Sequence, residues 1–319
     1  VFIGEQLTRT LNELEHVTNG KLSPEEKTDL KLNVVGKIPD VFLDNTDRNR
    51  TSPFAFTGNK FEFRAVGSTA NCANPMTVLN AIVAKQLIDF KIEVDALIVK
   101  KKLKKDEAIF NVLREYIKKS KNVLFEGNGY GEAWEKEAKK RGLSNHKTTP
   151  LALKAKVSKK AFDLFAELGV MNHIEVESRY EIELEEYTKK IQIEGRGLGD
   201  IARNHVIPTA IRYQNTLIEN VKGLKDIFEK DFTKIAKEQI ELIKEISGHI
   251  EGINRNIDEM IEERKKANNL DNTEKMAAAY CDKVKPYFEV IREHCDKLEL
   301  LVDNGIWPLT KYRELFFIK

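Results

Sequence analysis

Charged and aromatic residues alternate in the short segment 60–64, which reads K-F-E-F-R. An alternation with a period of two is typical of a β-strand that has one buried face and one polar face. The pattern therefore predicts that Lys60, Glu62 and Arg64 lie on one side of a sheet, with the two phenylalanines on the buried side. A tight turn is predicted just before this strand, at residues 57–59, which read T-G-N.

Two further arginines, Arg48 and Arg50, come shortly before the strand. A carboxylate supplies a hard oxygen ligand for a divalent cation, whereas guanidinium groups bind phosphate or carboxylate oxygens two at a time. Glu62 among these cations is therefore a candidate for holding a divalent metal beside a polyanionic ligand. The alternative interpretation of the same pattern is an exposed amphipathic strand with ordinary cross-strand ion pairs.

Several motifs around and beyond this strand resemble those of the type III glutamine synthetases. In the wider family an N-R pair precedes an E-x-R strand and an N-P helix start, and this chain has Asn49-Arg50, Glu62 to Arg64 and Asn74-Pro75. The continuous stretch R-N-R-T-S-P-F-A-F-T-G-N-K-F-E-F-R resembles type III members in particular. So do N-G-Y at Asn128, Y-T-K-K-I-Q-I-E at Tyr187, and W-P-L-T-K-Y-R-E-L at Trp307, so the resemblance covers nearly the whole chain.

This resemblance implies an α+β fold. Residues 1–90 are expected to be the carboxyl-terminal part of the catalytic domain, with a remnant of its sheet and helices. Residues 91–319 are expected to be the helical region specific to type III, a bundle with long antiparallel helices. The chain begins in apolar sequence at Val1, which we interpret as a start inside the catalytic domain.

The family makes glutamine from glutamate, ammonia and ATP through a γ-glutamyl phosphate, so the resemblance implies these substrates, with ATP and Mg²⁺ (or Mn²⁺) as cofactors. By position, Glu62 matches the metal-binding glutamate of the family. Arg64 matches the arginine at the substrate or phosphoryl group, and Arg50 matches the arginine at the phosphate. Lys60 falls where relatives often have an arginine near the nucleotide. A second arginine of many members is replaced here by Ala55.

The remaining metal ligands of the family precede the segment that this chain resembles. We therefore expect the chain to supply one wall of an active site and to be inactive alone. A second hypothesis is a helical assembly or regulatory module whose catalytic motif is idle, because long helices and an apolar tail suit packing between subunits. A third is a related γ-glutamyl ligase that uses another amine.

The amino-acid composition indicates which partners and which location to expect for this protein. Charged residues make up 33% of the 319 residues and cancel to a formal net charge of +2, without the basic excess of a nucleic-acid binder. No apolar run approaches the ~20 residues of a membrane span, and no signal peptide is recognisable. We therefore predict a cytoplasmic protein without a nucleic-acid or membrane partner, and the family implies a homo-oligomer. Cys72, Cys281 and Cys295 are predicted to be unpaired core residues.

Two apolar stripes dominate the second half, over residues 232–261 and 280–302. Both advance in steps of three and four with one doubled four, as in a coiled coil with a stutter. They predict two long helices that pair antiparallel across a polar turn at residues 268–273, in a bundle with helices near 180–201 and 208–228. Pro286 should bend its helix locally.

Local signals predict the other elements. Helices are expected at residues 5–17, after Ser23, from Asn74 to about Phe90, from an Asp106 cap to Lys119, and from a Ser158 cap to Gly169, with short strands at 32–35 and 41–43. The helix after Asn74 carries an apolar stripe that should pack on the sheet, at Val78, Leu79, Ile82, Val83 and Leu87.

Features that resemble functional sites are given ordinary structural interpretations. The glycine-rich segment 127–131 lacks the lysine of a P-loop, and it predicts a turn before a helix that begins at Glu132. The glycine-rich segment 195–199 follows helical sequence and predicts a packing or kink site. The isolated His173, His205 and His249 are predicted to be surface or packing residues, and the aromatic tail at 312–317 is predicted to be packed.

Overall fold

The structure is a computed structural model that describes residues 1–16, 54–56, 60–63, 71–129 and 131–316. The chain forms two compact units. The first unit contains residues 1–146 and 163–170, and the second contains residues 147–162 and 171–319. This division is based on packing within the chain. It does not test the domain boundary implied by the family resemblance, between residues 1–90 and 91–319, which stays a prediction.

The first unit combines a small sheet with helices. Helix α1 spans Glu5–His16, strands β1 and β2 span Phe54–Phe56 and Phe61–Phe63, and helices α2 to α4 span Ala73–Lys101, Lys105–Ser120 and Glu132–Lys140. Helix α1 and strand β2 confirm the corresponding predictions. The helix predicted after Ser23, the strands predicted at 32–35 and 41–43 and the turn predicted at 57–59 lie outside the described residues.

Strands β1 and β2 pair antiparallel, with Ala55 opposite Glu62 and Phe56 opposite Phe61. An isolated parallel bridge joins Phe2 to the buried Ala55. The rings of Phe56 and Phe61 lie with their centroids 5.2 Å apart. The prediction of a buried phenylalanine face is wrong for Phe61, which is 48% exposed.

Helix α2 is longer than the sequence indicated, because it continues past Phe90 to Lys101. Residues 91–101 contain neither glycine nor proline, and Lys91 pairs with Asp95 one turn later at 2.6 Å, so nothing in this segment ends the helix. It stops where Lys102 adopts a left-handed backbone conformation with φ of 55°. A small core then forms against α3 around Val94, Ala108 and Val112.

The apolar stripe at the start of α2 lies largely in solvent. Val78, Ile82, Val83 and Leu87 are 39%, 45%, 54% and 64% exposed. The prediction that this stripe packs on the sheet is therefore wrong within the described part of the chain. The described residues of the first unit leave this part of the stripe exposed.

The second unit is helical. Helices α5 and α6 span Thr149–Leu153 and Lys159–Glu167, with α6 contributing to both units, and helices α7 to α13 span His173–Ile201, Ile207–Phe228, Phe232–Ile235, Lys237–Asn268, Thr273–Ala279, Pro286–Leu301 and Tyr312–Leu315. One segment predicted as a single helix from Phe232 is divided, because Ala236 departs from helical geometry between α9 and α10. With the small sheet of the first unit, these helices confirm the predicted α+β, mainly helical fold.

Helices α10 and α12 form the antiparallel pair that the two stripes predicted. Their facing side chains are buried, namely Ile246, Ile253, Ile257 and Met260 on α10 with Ile291 and Leu298 on α12. Tyr280, Val284 and Val302 extend the same core. The stripes predicted this core correctly because each helix offers the other an apolar face of matching length.

Two wide helical turns precede prolines in this bundle. Residues 202–206 and 280–284 form π-helical turns, directly before the helices that contain Pro208 and Pro286. Lys285 N donates to Tyr280 O at 2.9 Å, one residue further along than in an α-helix. Proline lacks an N–H group and its ring obstructs the carbonyl one turn earlier, so a wider turn accommodates it. The predicted distortion at Pro286 takes this form.

Some helices begin at a side-chain cap, whereas others, such as α2 and α4, begin without one. Ser158 accepts from Ala161 N at 3.3 Å, as predicted. Asn172 and Glu175 form a reciprocal capping box at the start of α7. The prediction that Asp106 caps α3 is wrong, because α3 begins at Lys105. Asp106 lies in the first turn, where a carboxylate favours the helix dipole without accepting as a cap.

The last described residues are more exposed than expected. Trp307 packs against the bundle core, but Leu315 and Phe316 are 67% and 79% exposed, so the prediction of a packed tail is wrong for these two residues. In the described part of the chain, no helix has both the length and the apolar character that a membrane crossing requires.

Candidate functional site

Glu62 and Lys60 lie at the strand that the sequence analysis singled out. Glu62 is the middle residue of β2, and its carboxylate side chain is 40% exposed. Lys60 Nζ lies 3.8 Å from Glu62 Oε1 and is on a side chain that is 65% exposed. An accessible carboxylate with a cation beside it can bind a divalent metal or form a surface ion pair, and these two residues are compatible with both.

The other two predicted site residues, Arg50 and Arg64, lie outside the described residues. Whether four charged groups converge around Glu62 therefore stays a prediction. Among the described residues, no group of three or more His, Cys, Asp or Glu side chains lies close enough to hold a metal ion. Glu62 thus fits as one hard oxygen ligand, and the described part of the chain does not by itself complete a coordination shell.

The first glycine-rich stretch is the predicted turn. Helix α4 begins at Glu132, and Gly131 N donates to Asn128 O at 3.2 Å just before it. A methyl group at Gly127 would come within 2.7 Å of the Phe125 ring. The glycine therefore allows the chain to fold back over an aromatic side chain.

The second glycine-rich stretch is a packing site, as predicted. Helix α7 passes through residues 195–199 without a break. A methyl group at Gly195 would lie 3.1 Å from the Phe288 ring and 3.7 Å from Met260 Sδ. The small residue therefore lets α7 approach α10 and the helix of Phe288 closely.

The prediction that His249 is isolated is wrong. Its Nδ1 lies 2.9 Å from Nδ1 of His294, which belongs to the facing helix α12. Burial lowers the pKa of His249, the positive charge of His294 lowers it further, and Glu245 partly opposes the shift. At this distance one ring must donate and the other accept, so the pair holds a single proton between its two Nδ1 atoms. The sequence contained a signal for this contact, because antiparallel pairing of the two predicted helices brings residues 249 and 294 to the same level.

His173 and the cysteines have ordinary environments. His173 stacks on Phe162 with ring centroids 3.8 Å apart, which agrees with the predicted packing role. All three cysteines are unpaired, as predicted. Cys72 is exposed, so the prediction of a core position is wrong there. Burial raises the pKa of the Cys295 thiol to about 11, which makes it a poor nucleophile.

Comparison with known protein families supports the resemblance. Residues 108–225 match the model of the glutamine synthetase C-terminal domain. The chain is 49% identical to a glutamine synthetase of Bacteroides fragilis (strain YCH46), over 100% of this chain and 44% of that protein. It is 33% identical to the type-3 glutamine synthetase of Dictyostelium discoideum, over 100% of this chain and 43% of that protein.

A glutamine synthetase of Butyrivibrio fibrisolvens is 32% identical over 86% of this chain and 38% of its own length. The chain thus spans less than half the length of each of these relatives. For the first two relatives the match nevertheless extends over the whole of this chain, and thus over β2, the glycine-rich stretches and the paired helices. The chain belongs to the glutamine synthetase family and corresponds to the carboxyl-terminal region of its type III members.

Proposed function

We propose that this chain forms one wall of the active site of an ATP-dependent glutamate–ammonia ligase. The observation that carries the proposal is the accessible Glu62 carboxylate on β2, beside Lys60, in a chain that is 49% identical to a glutamine synthetase along its whole length. The reaction joins ammonia to the γ-carboxyl group of glutamate through a γ-glutamyl phosphate. Since such a reaction draws on ATP and free glutamate, we place it in the cytoplasm.

The four predicted residues divide this work by their chemistry. Glu62 would hold Mg²⁺ or Mn²⁺, which neutralises the polyphosphate when it is bound. Arg50 and Arg64 would orient the phosphoryl group and the glutamate carboxylate, because a guanidinium group grips two oxygens at once. Lys60 would contact the nucleotide as a point charge.

The test is a chimaera in which this chain replaces the matching part of the Bacteroides fragilis relative. We expect the chimaera to release phosphate only when both glutamate and ammonia are present. Glu62→Gln keeps the shape of the side chain but removes a hard anionic ligand, so turnover should fall by about a hundredfold or more. Steady-state phosphate release at saturating Mg²⁺ measures the loss.

The matched control is Glu251→Gln, which removes the charge of an exposed glutamate on α10. Its turnover should stay within about twofold of the parent chimaera, since single surface changes perturb stability by about 0.5 kcal/mol at most. Near-normal turnover in Glu62→Gln, with a melting temperature equal to that of the control, would mean that Glu62 is only a surface ion-pair residue. The proposed metal role would then be abandoned.

The chain on its own should be inactive. The described residues offer one candidate carboxylate at β2 and no larger group of metal-binding side chains. Two-metal phosphoryl chemistry needs more ligands than this. Phosphate release by the isolated chain that depends on both glutamate and ammonia would contradict this prediction.

A second proposed role is assembly into a homo-oligomer. The observation that favours it is the apolar surface of α2, where Leu87 is 64% and Ile92 is 60% exposed. Apolar surface of this kind marks interaction sites in soluble proteins. Leu87→Asp should shift the mass measured by light scattering towards the monomer, and an unchanged mass would remove Leu87 from any such contact.

A further inference from the structure

A cleft of about 220 Å³ lies in the second unit between α7 and α10. Its charged lining consists of Arg196, Asp200 and Arg203 with Arg264 from α10. Gly199 and Met260 contribute to its apolar part. Three guanidinium groups around one small cleft create a local excess of positive charge in a chain whose total charge is nearly balanced.

Two of the four charged groups have hydrogen-bond partners within the protein. Arg203 Nη2 donates to Asp258 Oδ1 at 2.5 Å and to Asn254 O at 3.4 Å. Asp200 Oδ1 accepts from Asn204 Nδ2 at 2.5 Å. Arg203 is therefore paired with an acid, whereas Asp200 keeps its negative charge beside a neutral amide. Arg196 and Arg264 together outweigh that one carboxylate, so the cleft has a net positive charge.

Arg264 has an unusual environment for a guanidinium group. Its Nε is buried and has no hydrogen-bond partner among the described residues. Leaving a buried donor unsatisfied costs about 1–3 kcal/mol, and more when the group is charged. Such a donor calls for an acceptor, which a bound anion or an ordered water can supply.

Arg196 approaches the same region from α7. Burial raises the pKa of the Tyr280 phenol, and the positive charges of Arg264 and Arg196 both oppose that rise. Both guanidinium groups are therefore within electrostatic range of the same buried hydroxyl. Arg196 itself is exposed, so it can move onto a ligand without disturbing the core.

The glycines of α7 explain why arginines of two helices share this cleft. A methyl group at Gly199 would lie 3.7 Å from Ile257 and 3.9 Å from Met260, in ordinary contact. The absence of side chains at Gly195 and Gly199 leaves room beside Met260. Arg196 and Arg264 line the cleft beside this space, where α7 packs closely on α10.

We propose that this cleft binds a small oxyanion, a phosphate or carboxylate group, between Arg196 and Arg264. Guanidinium groups present parallel N–H donors that match the paired oxygens of these anions. The volume is below the roughly 300 Å³ at which pockets for larger organic ligands begin, which favours a small anion over a nucleotide. The cleft belongs to the second unit and Glu62 to the first, and the proposal does not depend on the proposed catalytic function.

The experiment follows the arginine side-chain Nε–H signals of the intact 319-residue chain by ¹⁵N NMR. Inorganic phosphate and succinate are titrated in separate arms, with sodium chloride keeping the ionic strength constant. We expect a saturable shift of the Arg264 Nε–H signal in at least one arm, and the arm with the tighter saturation identifies the preferred group. Sodium chloride alone should give no saturable shift.

Variants connect the shift to the cleft. Arg196→Gln should weaken binding by about tenfold or more, since a hydrogen bond to a charged group contributes about 1.5–3 kcal/mol. The matched control is Arg255→Gln, which removes an exposed arginine of α10 that does not line the cleft, and it should leave the affinity unchanged. Because Arg196 is exposed, its replacement tests the site without endangering the fold.

Two results would overturn the proposal. One is a shift of Arg264 that grows linearly with both anions and never saturates. The other is equal weakening by Arg196→Gln and Arg255→Gln, which would show general screening of positive charge. Either result can be obtained while the Glu62 chimaera remains active, so the two proposals fail independently.

Discussion

Helix α2 in the first unit and helix α10 in the second unit carry comparable apolar stripes but have different environments. Ile253 of α10 is 0% exposed, whereas Leu87 of α2 is 64% exposed. The stripe of α10 meets a stripe of matching length on α12. The stripe of α2 has no such partner within the described residues. Periodicity therefore reports which face of a helix favours burial, and the rest of the fold determines whether that burial occurs.

The two tryptophans allow this difference to be measured in one chain, since each unit contains one of them. Trp134 stacks on Phe125 in the first unit, with ring centroids 4.2 Å apart. Trp307 packs against the bundle core of the second unit. Replacing either one by Phe leaves a single fluorescent reporter for the unfolding of the other unit.

The largest expected effect comes from a charge in the bundle core. Ile253→Asp buries a carboxylate without a partner, so the free energy of unfolding reported by Trp307 should fall by about 4 kcal/mol or more. Ile291→Asp on the facing helix should act similarly. Urea denaturation in a Trp134→Phe background measures the change.

The matched control is Leu87→Asp on α2, which should change the free energy of unfolding reported by Trp134 by about 0.5 kcal/mol or less. A large loss there, in a sample that light scattering shows to be monomeric before and after the change, would show that the α2 stripe is buried within the chain, and the comparison between the two helices would fail. An unchanged midpoint for both Ile253→Asp and Ile291→Asp would instead refute the paired-helix core.

A smaller effect is expected from glycines on α10. A methyl group at Gly252 would lie 2.5 Å from His294 Nε2, so Gly252→Ala should reduce the free energy of unfolding of the second unit by about 2 kcal/mol. A methyl group at Gly248 would have no neighbouring atom within 4 Å. Gly248→Ala should therefore stabilise the helix by about 0.8 kcal/mol. Opposite signs in urea denaturation would confirm that α10 packs closely against α12 at Gly252 and not at Gly248.

The smallest effect concerns pH. Because the pKa of His249 is lowered by burial and by His294, the unfolded chain takes up a proton at this residue more readily than the folded one. Its contribution to stability should be complete above the ordinary histidine value of 6.5 and should decline as the pH falls below it. Glu245 and Glu293 oppose the shift, and Lys297 reinforces it.

His249→Gln should flatten this pH dependence for the transition reported by Trp307. The transition reported by Trp134 should not change, since the histidine pair belongs to the second unit. An identical pH dependence before and after the substitution would show that the pair does not titrate with unfolding.

Local signals in the sequence predicted much of this protein. Helix α1, strand β2, the turn before α4 and the cores of α10 and α12 follow from periodicity, glycine and capping residues, because these properties act between neighbours along the chain. The resemblance to type III glutamine synthetases also depended on contiguous motifs. The proposed roles of Arg50, Lys60, Glu62 and Arg64 rest on those motifs and remain predictions.

Other features were decided only by the tertiary structure. The histidine pair joins residues 249 and 294, and the basic cleft joins residues 196 and 264, which are far apart in the chain. The exposure of α2 and the end of that helix at Lys101 likewise depend on what packs against it. Amino-acid periodicity encodes the preference of a face for water or for a core. Which group packs against that face depends on which segments the fold brings together in space. No local sequence pattern contains that information.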